Sequence, residues 1–328
     1  MTEIELKFQI PPDARAAVAQ AVASGRCGQT RLQAIYFDTR DRRLATAGVA
    51  VRLRQEGSQW VQTVKGGDPH AMQRHEHNVP VEGVPDGPAP ALDLARHDGT
   101  PAGALLTRAL AGMELAPLYR TDILRTHRTV HAQRGTIELD LDVGEIVAAD
   151  RRWPVHELEI ELVDGEPVAV LDAAACWVRR HGLWLDVRSK AERGDRLARG
   201  VTCGDPVMGL VFPPDASPKV LAGAALAHLL PNASEVASGD HAAAHVHQLR
   251  VALRRLSAAL RPHGIHPLWA AVLAATDRAL RNPEQASAAV RARPFNQVLM
   301  GLQGLAVLPE GQETDIACGA DTSATSLP

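Results

Sequence analysis

Aromatic residues, cysteine and lysine are all scarce in this chain of 328 residues, and it has no long apolar run. Phe, Trp and Tyr together make up only 3% of it. A surface that binds single-stranded nucleic acid stacks bases on such rings. The C-terminal third offers two, Trp269 and Phe295, so a nucleic-acid partner is not expected. Cys27, Cys176, Cys203 and Cys318 are scattered, with no C-x-x-C pair, which fits neither a thiolate metal site nor a disulfide framework. No apolar stretch is long enough to span a bilayer, and the N-terminus carries a charged strand pattern where a basic-then-apolar leader would stand. A cytoplasmic protein without membrane contact is the expectation. Lysine occurs only at Lys7, Lys65, Lys190 and Lys219. Where arginine is the default cation, a retained lysine suggests a need for a compact, mobile point charge in place of a rigid fork.

What is present divides into two parts. At this length two domains are expected. The formal net charge of −3 hides a split: residues 219–300 hold nine Lys/Arg against four Asp/Glu, and the last 28 residues hold four acids and no base. Up to about residue 200 the hydrophobic period is mostly two, the signature of strands. Glu3, Glu5 and Lys7 alternate with Ile4, Leu6 and Phe8. Val49, Val51 and Leu53 alternate with Arg52 and Arg54, and Glu157, Glu159 and Glu161 stand opposite Leu158, Ile160 and Leu162. Further strands are expected at 32–38, 59–65, 74–78, 118–128 and 136–143, the last ended by Gly144. Helices are expected at 14–23 and 167–181, and an insert with short helices at 80–117. The polar faces are grouped by sign, acidic near 3–5, 138–142 and 157–161 and basic near 52–54 and 120–128. A half-buried strand usually turns its polar side to water. Sign-sorted faces fit a second arrangement, in which they meet inside a closed barrel. Buried like that, opposed charges are costly without a ligand. A polyanion on the Arg/Lys groups and hard cations on the carboxylates would offset that cost.

In chain order, Glu3-x-Glu5-x-Lys7, Arg52-x-Arg54, Lys65, Arg74-x-Glu76, Arg125, Leu141-Asp142-x-Gly144, Glu157-Leu158-Glu159 and Ser189-Lys190-x-x-Arg193-Gly194 resemble the CYTH domain of the triphosphate tunnel metalloenzymes. The resemblance covers about residues 1–200. It implies an α+β chain whose N-terminal domain is an eight-stranded antiparallel β-barrel enclosing a tunnel. It also implies an inorganic triphosphatase dependent on Mg2+ or Mn2+. Glu3, Glu5, Glu76, Asp142, Glu157 and Glu159 would then be metal carboxylates. Lys7, Arg52, Arg54, Lys65, Arg74, Arg125, Lys190 and Arg193 would grip phosphate, and Lys7, Glu5 and Glu159 would stand closest to the chemistry. A hydrolase or cyclase acting on an organic triphosphate, such as thiamine triphosphate or ATP, remains an alternative.

Residues 201–218 read as a linker containing Phe212-Pro213-Pro214, and 219–305 as a smaller all-helical bundle, with helical segments at 219–230, 241–261, 270–281 and 291–305 and a turn at 231–240. Within 241–261, Val246, Leu249, Leu253, Leu256 and Leu260 form an apolar stripe, flanked by a cationic one. The run His247-x-x-Arg250-x-x-x-Arg254-Arg255 resembles the CHAD domain in a shortened form, which implies polyphosphate binding by His247, Arg250, Arg254 and Arg255. A solvated helix face explains the same stripe equally well. A non-catalytic protein that binds polyphosphate and localises to its granules is therefore the main rival to an enzyme. Residues 306–328 are expected to form a loose tail. Self-association is left open.

Overall fold

Alternation of apolar and charged residues over the first 165 residues produces eight long strands, and these close on themselves. The computed structural model describes residues 2–68, 71–84, 87–209, 216–264 and 266–307. The strands are β1 (Thr2–Gln9), β2 (Gly28–Asp38), β3 (Ala50–Glu56), β4 (Gln59–Gly66), β5 (Gln73–Val81), β6 (Ala116–Ala132), β7 (Gly135–Ala148) and β8 (Arg151–Gly165). They pair antiparallel in the order β5-β4-β3-β2-β6-β7-β8-β1, and β1 returns to β5 with Glu3 opposite Arg74. The expected eight-stranded antiparallel barrel is therefore the observed fold. A two-residue strand, β9 (Trp184–Leu185), pairs with the far end of β1.

Two expected chain stops are not stops. Gly144 lies inside β7, which runs on to Ala148. A Cβ at this position would collide with the Asp122 carbonyl oxygen of β6, so this glycine permits close strand approach and does not end the strand. Pro231, the expected start of a turn, lies inside the helix α6 (Pro218–Ser238). Helix propensity loses there because residues 225–237 are almost wholly buried, and packing outweighs one missing backbone donor.

Helices cover the barrel's outside: α1 (Arg15–Val22), α2 (Arg43–Thr46), α3 (Pro101–Leu110), α4 (Pro167–His181) and α5 (Lys190–Arg199). A helical layer follows, comprising α6 (Pro218–Ser238), α7 (Ala243–Leu260), α8 (Pro267–Ala279), α9 (Pro283–Arg291) and α10 (Arg293–Val307). The sequence reading places no helix at α2, α5 or α9; Asn282 caps α9 by accepting from the Glu284 N–H. The outward apolar residues of β1, β7 and β8 pack under α4, and one continuous apolar cluster runs from there into α6, α7 and α10. Phe212-Pro213-Pro214 and the expected tail beyond residue 307 lie outside the described residues. Among the described residues no helix is long and apolar enough to cross a membrane.

The insert between β5 and β6 is fastened by a histidine pair. Gln62 on β4 donates from Nε2 to the Asp93 carbonyl (2.8 Å) and accepts at Oε1 from the Asp93 N–H (2.9 Å), which fixes its amide orientation. The same Nε2 faces Nε2 of His97 at 2.9 Å, so that ring nitrogen is an acceptor and the ring proton sits on Nδ1. Nδ1 then donates to His77 Nδ1 at 2.9 Å. Burial first, and the neighbouring His77 second, push His97 down to about 4, although Asp93 and Asp98 oppose the shift. An unfolded histidine titrates near 6.5, so the unfolded chain takes up this proton first as pH falls. Stability contributed by this neutral pair is present above pH ~6.5 and is lost between ~6.5 and ~4, by about 2–3 kcal/mol. Urea unfolding at pH 7 and pH 4.5 should show that much less acid sensitivity in His97→Asn than in the unaltered protein.

Candidate active site

The strand registers decide what meets inside the barrel. Lys7 lies opposite Glu159, Asp140 opposite Glu159, Asp142 opposite both Arg125 and Glu157, and Lys65 opposite Glu76. The polar faces point inward, not to bulk water, and line a cavity of about 280 Å³. Eight carboxylates (Glu3, Glu5, Glu76, Glu138, Asp140, Asp142, Glu159, Glu161) share its wall with seven cations (Lys7, Arg52, Arg54, Lys65, Arg74, Arg125, Lys190). Three of the four lysines in the chain are among them.

Those lysines explain how so many carboxylates coexist. Lys65 Nζ sits among Glu3, Glu5 and Glu76; the Glu5 contact is 2.7 Å and the Glu76 contact 3.6 Å. Lys190 Nζ sits likewise among Asp142 (2.6 Å), Glu159 (2.8 Å) and Glu157. Each ammonium thus occupies the centre of a carboxylate triad, where a compact charge fits and a guanidinium would not. Burial disfavours the charge on both lysines, yet the surrounding carboxylates outweigh it and raise both above the ordinary lysine range. Arg125 uses its fork instead: Nε and Nη2 hold the two Asp142 oxygens at 2.7 Å each, Nη2 reaches Glu159 at 2.5 Å, and Nη1 meets Asp140.

The carboxylates divide accordingly. Burial alone would raise Glu159 and Asp142, but Lys190 and Arg125 bring both below the ordinary carboxylate range. Burial and the Glu5 charge push Glu3 up to about 9. Its neighbour Glu76 resists burial through Lys65 and Arg52 and falls to about 2. Burial also lifts Asp140 and Glu161 to about 7, against Arg125 in the first case and reinforced by Glu5 in the second.

Arg52 is differently placed from the other cations. Its Nη1 donates to the Tyr36 hydroxyl at 3.3 Å, and its Nε is buried without a hydrogen-bond partner. Tyr36 stacks on Tyr119, with ring centroids 4.8 Å apart, which fixes that contact. Arg54 is tied to Glu56. Arg74 donates from Nη2 to the Gly48 carbonyl at 3.0 Å.

Two expected site residues lie behind the wall, not on it. Glu157 is 0% and Arg193 1% exposed, and the two form an ion pair beneath the cavity. Arg193 therefore faces a carboxylate, not the tunnel. Asp142, Glu157 and Glu159 nonetheless bring carboxylate oxygens within 4.8 Å of one another, a group able to hold a metal ion. The donor chemistry fits a hard divalent cation: every candidate ligand is an oxygen, and Asp140 Oδ1 is buried without a hydrogen-bond partner, while Glu3 Oε2 and Glu157 Oε1 face ammonium groups that a cation could displace. Tyr36, Asp140 and Glu161 are wall residues to which the sequence reading gave no ligand role; strand periodicity already placed Asp140 and Glu161 on acidic faces, whereas Tyr36 shares its face with Leu32 and Ala34.

The CYTH domain model matches residues 1–194. The chain belongs to the CYTH family. Over 202 residues it is 28% identical to an inorganic triphosphatase of Haemophilus influenzae, covering 59% of this chain and 54% of that one. The chain thus spans about half the length of the curated relative it matches. Among solved structures, an adenylyl cyclase candidate from Hippeastrum with dominant triphosphatase activity is similar at 19% identity (TM-score 0.40, 66% of this chain, 100% of that one). An adenylate cyclase candidate from Bacillus halodurans is similar at 17% identity (TM-score 0.35, 55% of this chain, 91% of that one). The CYTH match ends before α6, so the helical layer lies outside it.

In that layer the basic stripe on α7 is partly neutralised. Arg250 and Arg254 both bond Asp277 of α8, at 3.0 and 3.2 Å. His247 and Arg255 are exposed.

Proposed function

We propose that the tunnel hydrolyses inorganic triphosphate. The observation that carries this reading is the enclosed wall of seven cations and eight carboxylates, a lining that suits a polyanion accompanied by metal ions. The name of the Haemophilus relative supports the same substrate class. Arg52, Arg54, Lys65, Arg74, Arg125, Lys190 and Lys7 bind the phosphate oxygens and align the chain. Glu3, Glu5 and Glu76, and on the neighbouring strands β7 and β8 Asp142, Glu157 and Glu159, would hold Mg2+ or Mn2+. When bound, such a cation offsets charge on the phosphate oxygens and polarises the scissile phosphorus.

Water attacks the terminal phosphorus, the bridging P–O bond breaks, and the products are orthophosphate and pyrophosphate. Glu159 is held by two cations and is a weak proton acceptor. Among the described residues the Glu5 carboxylate pairs with one cation, Lys65, so it is the better placed to take the proton from the attacking water. Lys7 sits opposite Glu159 and forms no ion pair among the described residues, which leaves it to bind the phosphoryl group in flight. The helical layer, as a shortened CHAD-like region, would bind longer polyphosphate through His247, Arg255 and the Arg250/Arg254 pair, in competition with Asp277.

Phosphate release from tripolyphosphate in Mg2+ or Mn2+ tests the hydrolytic reading. Glu5→Gln and Lys7→Ala should each lower kcat/KM by about 100-fold or more. Tight tripolyphosphate binding with no release by the unaltered protein would replace hydrolysis with a binding role.

A further inference from the structure

Helix α5 carries Lys190 into the tunnel at its first turn, and its other end is gripped by the helical layer. Lys190, Arg193 and Arg196 recur every three residues and lie along one side of the helix. Lys190 holds the tunnel carboxylates, Arg193 holds Glu157 beneath them, and Arg196 bridges Glu192 of its own helix through Nη2 to Glu235 of α6 through Nη1. Glu235 is 3% exposed and also faces Arg188 Nη1 at 3.7 Å. Arg188 in turn is locked to Asp186, with Nε to Oδ1 at 2.9 Å and Nη2 to Oδ2 at 2.8 Å. The Asp186 N–H donates to the Lys7 carbonyl of β1 at 3.0 Å.

Backbone on both sides of α5 is held by the same layer. The Leu185 N–H donates to Asn296 Oδ1 of α10 (2.8 Å), and the Val187 N–H to Ser234 Oγ of α6 (3.0 Å). Beyond the helix, the Val207 N–H donates to Asn232 Oδ1 (3.2 Å), and Asn232 Nδ2 returns a bond to the Val207 carbonyl (2.9 Å). On its barrel side α5 rests on Tyr119, whose hydroxyl donates to the Ala191 carbonyl at 2.9 Å; a Cβ on Gly194 would strike that ring. The segment bearing Lys190 is therefore held between a barrel strand and three polar side chains of α6.

We propose that Glu235 is a positioning residue for the tunnel. By neutralising Arg196 and Arg188 it seats α5 and so places Lys190 Nζ in the Asp142/Glu157/Glu159 triad, making the helical layer a structural part of the tunnel's ligand site. The ligand arm of this inference rests on the reading of the tunnel as a triphosphate site; the positional arm does not.

The test uses the full chain. Hydrogen exchange in Glu235→Ala should speed about tenfold at α5 amides while β7 stays protected. Tripolyphosphate binding by calorimetry should weaken about tenfold, and KM should rise more than kcat falls. In a Lys190→Ala background the same Glu235→Ala change should alter tripolyphosphate affinity by less than about twofold, because Glu235 acts through that lysine. Glu235→Gln, which keeps volume and an acceptor for Arg196, should recover most of the affinity. Should Glu235→Ala fail to fold, Ser234→Ala, which removes the Val187 acceptor, is put through the same measurements. Unchanged α5 exchange, or an equal affinity loss with and without Lys190, overturns the proposal. If the unaltered protein does not bind tripolyphosphate, the triphosphate reading fails, and exchange alone decides the positioning.

Discussion

Arg52→Ala should lower tripolyphosphate kcat/KM by about 100-fold while shifting the unfolding midpoint by no more than about 2 °C. A charge-assisted hydrogen bond to phosphate contributes about 1.5–3 kcal/mol, and Arg52 offers several donors to one chain. The fold has no comparable dependence on it. Lys65, Lys190 and Arg125 are each bonded to carboxylates, whereas Arg52 donates to a tyrosine hydroxyl, pairs with no carboxylate among the described residues and leaves its Nε unsatisfied. Removing it withdraws one favourable charge from Glu76, which Lys65 still faces at 3.6 Å. Arg52→Lys should recover part of the loss, because an ammonium restores the charge without the fork. Steady-state phosphate release and thermal unfolding, measured on one preparation, check both halves. Unaltered kinetics would mean that phosphate is held elsewhere.

The opposite balance is expected at Arg125. Its guanidinium holds Asp140, Asp142 and Glu159 at once, and Asp142 is fully buried. Arg125→Ala leaves three carboxylates facing one another with Lys190, and Lys7 opposite Glu159, as the remaining cations beside them. Breaking a buried ion pair from one side costs about 3–5 kcal/mol, so urea unfolding should show a loss of that order at pH 7. Millimolar Mn2+ should raise the unfolding midpoint of this variant more than that of the unaltered protein, since a cation bound only by the folded state stabilises it. A variant as stable as the parent in the absence of metal would mean that the ion cluster does not hold the barrel's centre.

The contrast between two arginines in one tunnel marks how far the sequence can be read. Strand identity was legible, because Glu3-Ile4-Glu5-Leu6-Lys7 and Val51-Arg52-Leu53-Arg54 alternate with period two whatever surrounds them. Sign-sorted polar faces pointed to a shared interior, and the rarity of lysine pointed to positions where a point charge matters. Which cations are already committed to carboxylates was not legible. That depends on cross-strand register, and Arg125 meets Asp142 only because β6 and β7 pair as they do. The roles of Gly144 and Pro231 were misread for the same reason, since a neighbouring strand in one case and a buried helix face in the other overrode local preference. Arg193 carried the motif spacing of a phosphate ligand, but the turn of α5 aims it at Glu157 beneath the wall.

Local order in this protein came from the sequence alone: the strand period, the amphipathic stripe of α7, the capping of α5 by Ser189 and the concentration of charge on single faces. Closure of β1 onto β5, the seating of Lys65 and Lys190 within carboxylate triads, and the contact of Glu235 with Arg196 belong to the tertiary structure. The reason is physical. A side chain's direction follows from its own backbone, but its partner is set by residues dozens to hundreds of positions away, brought within a few ångströms only when the barrel closes and the helices pack.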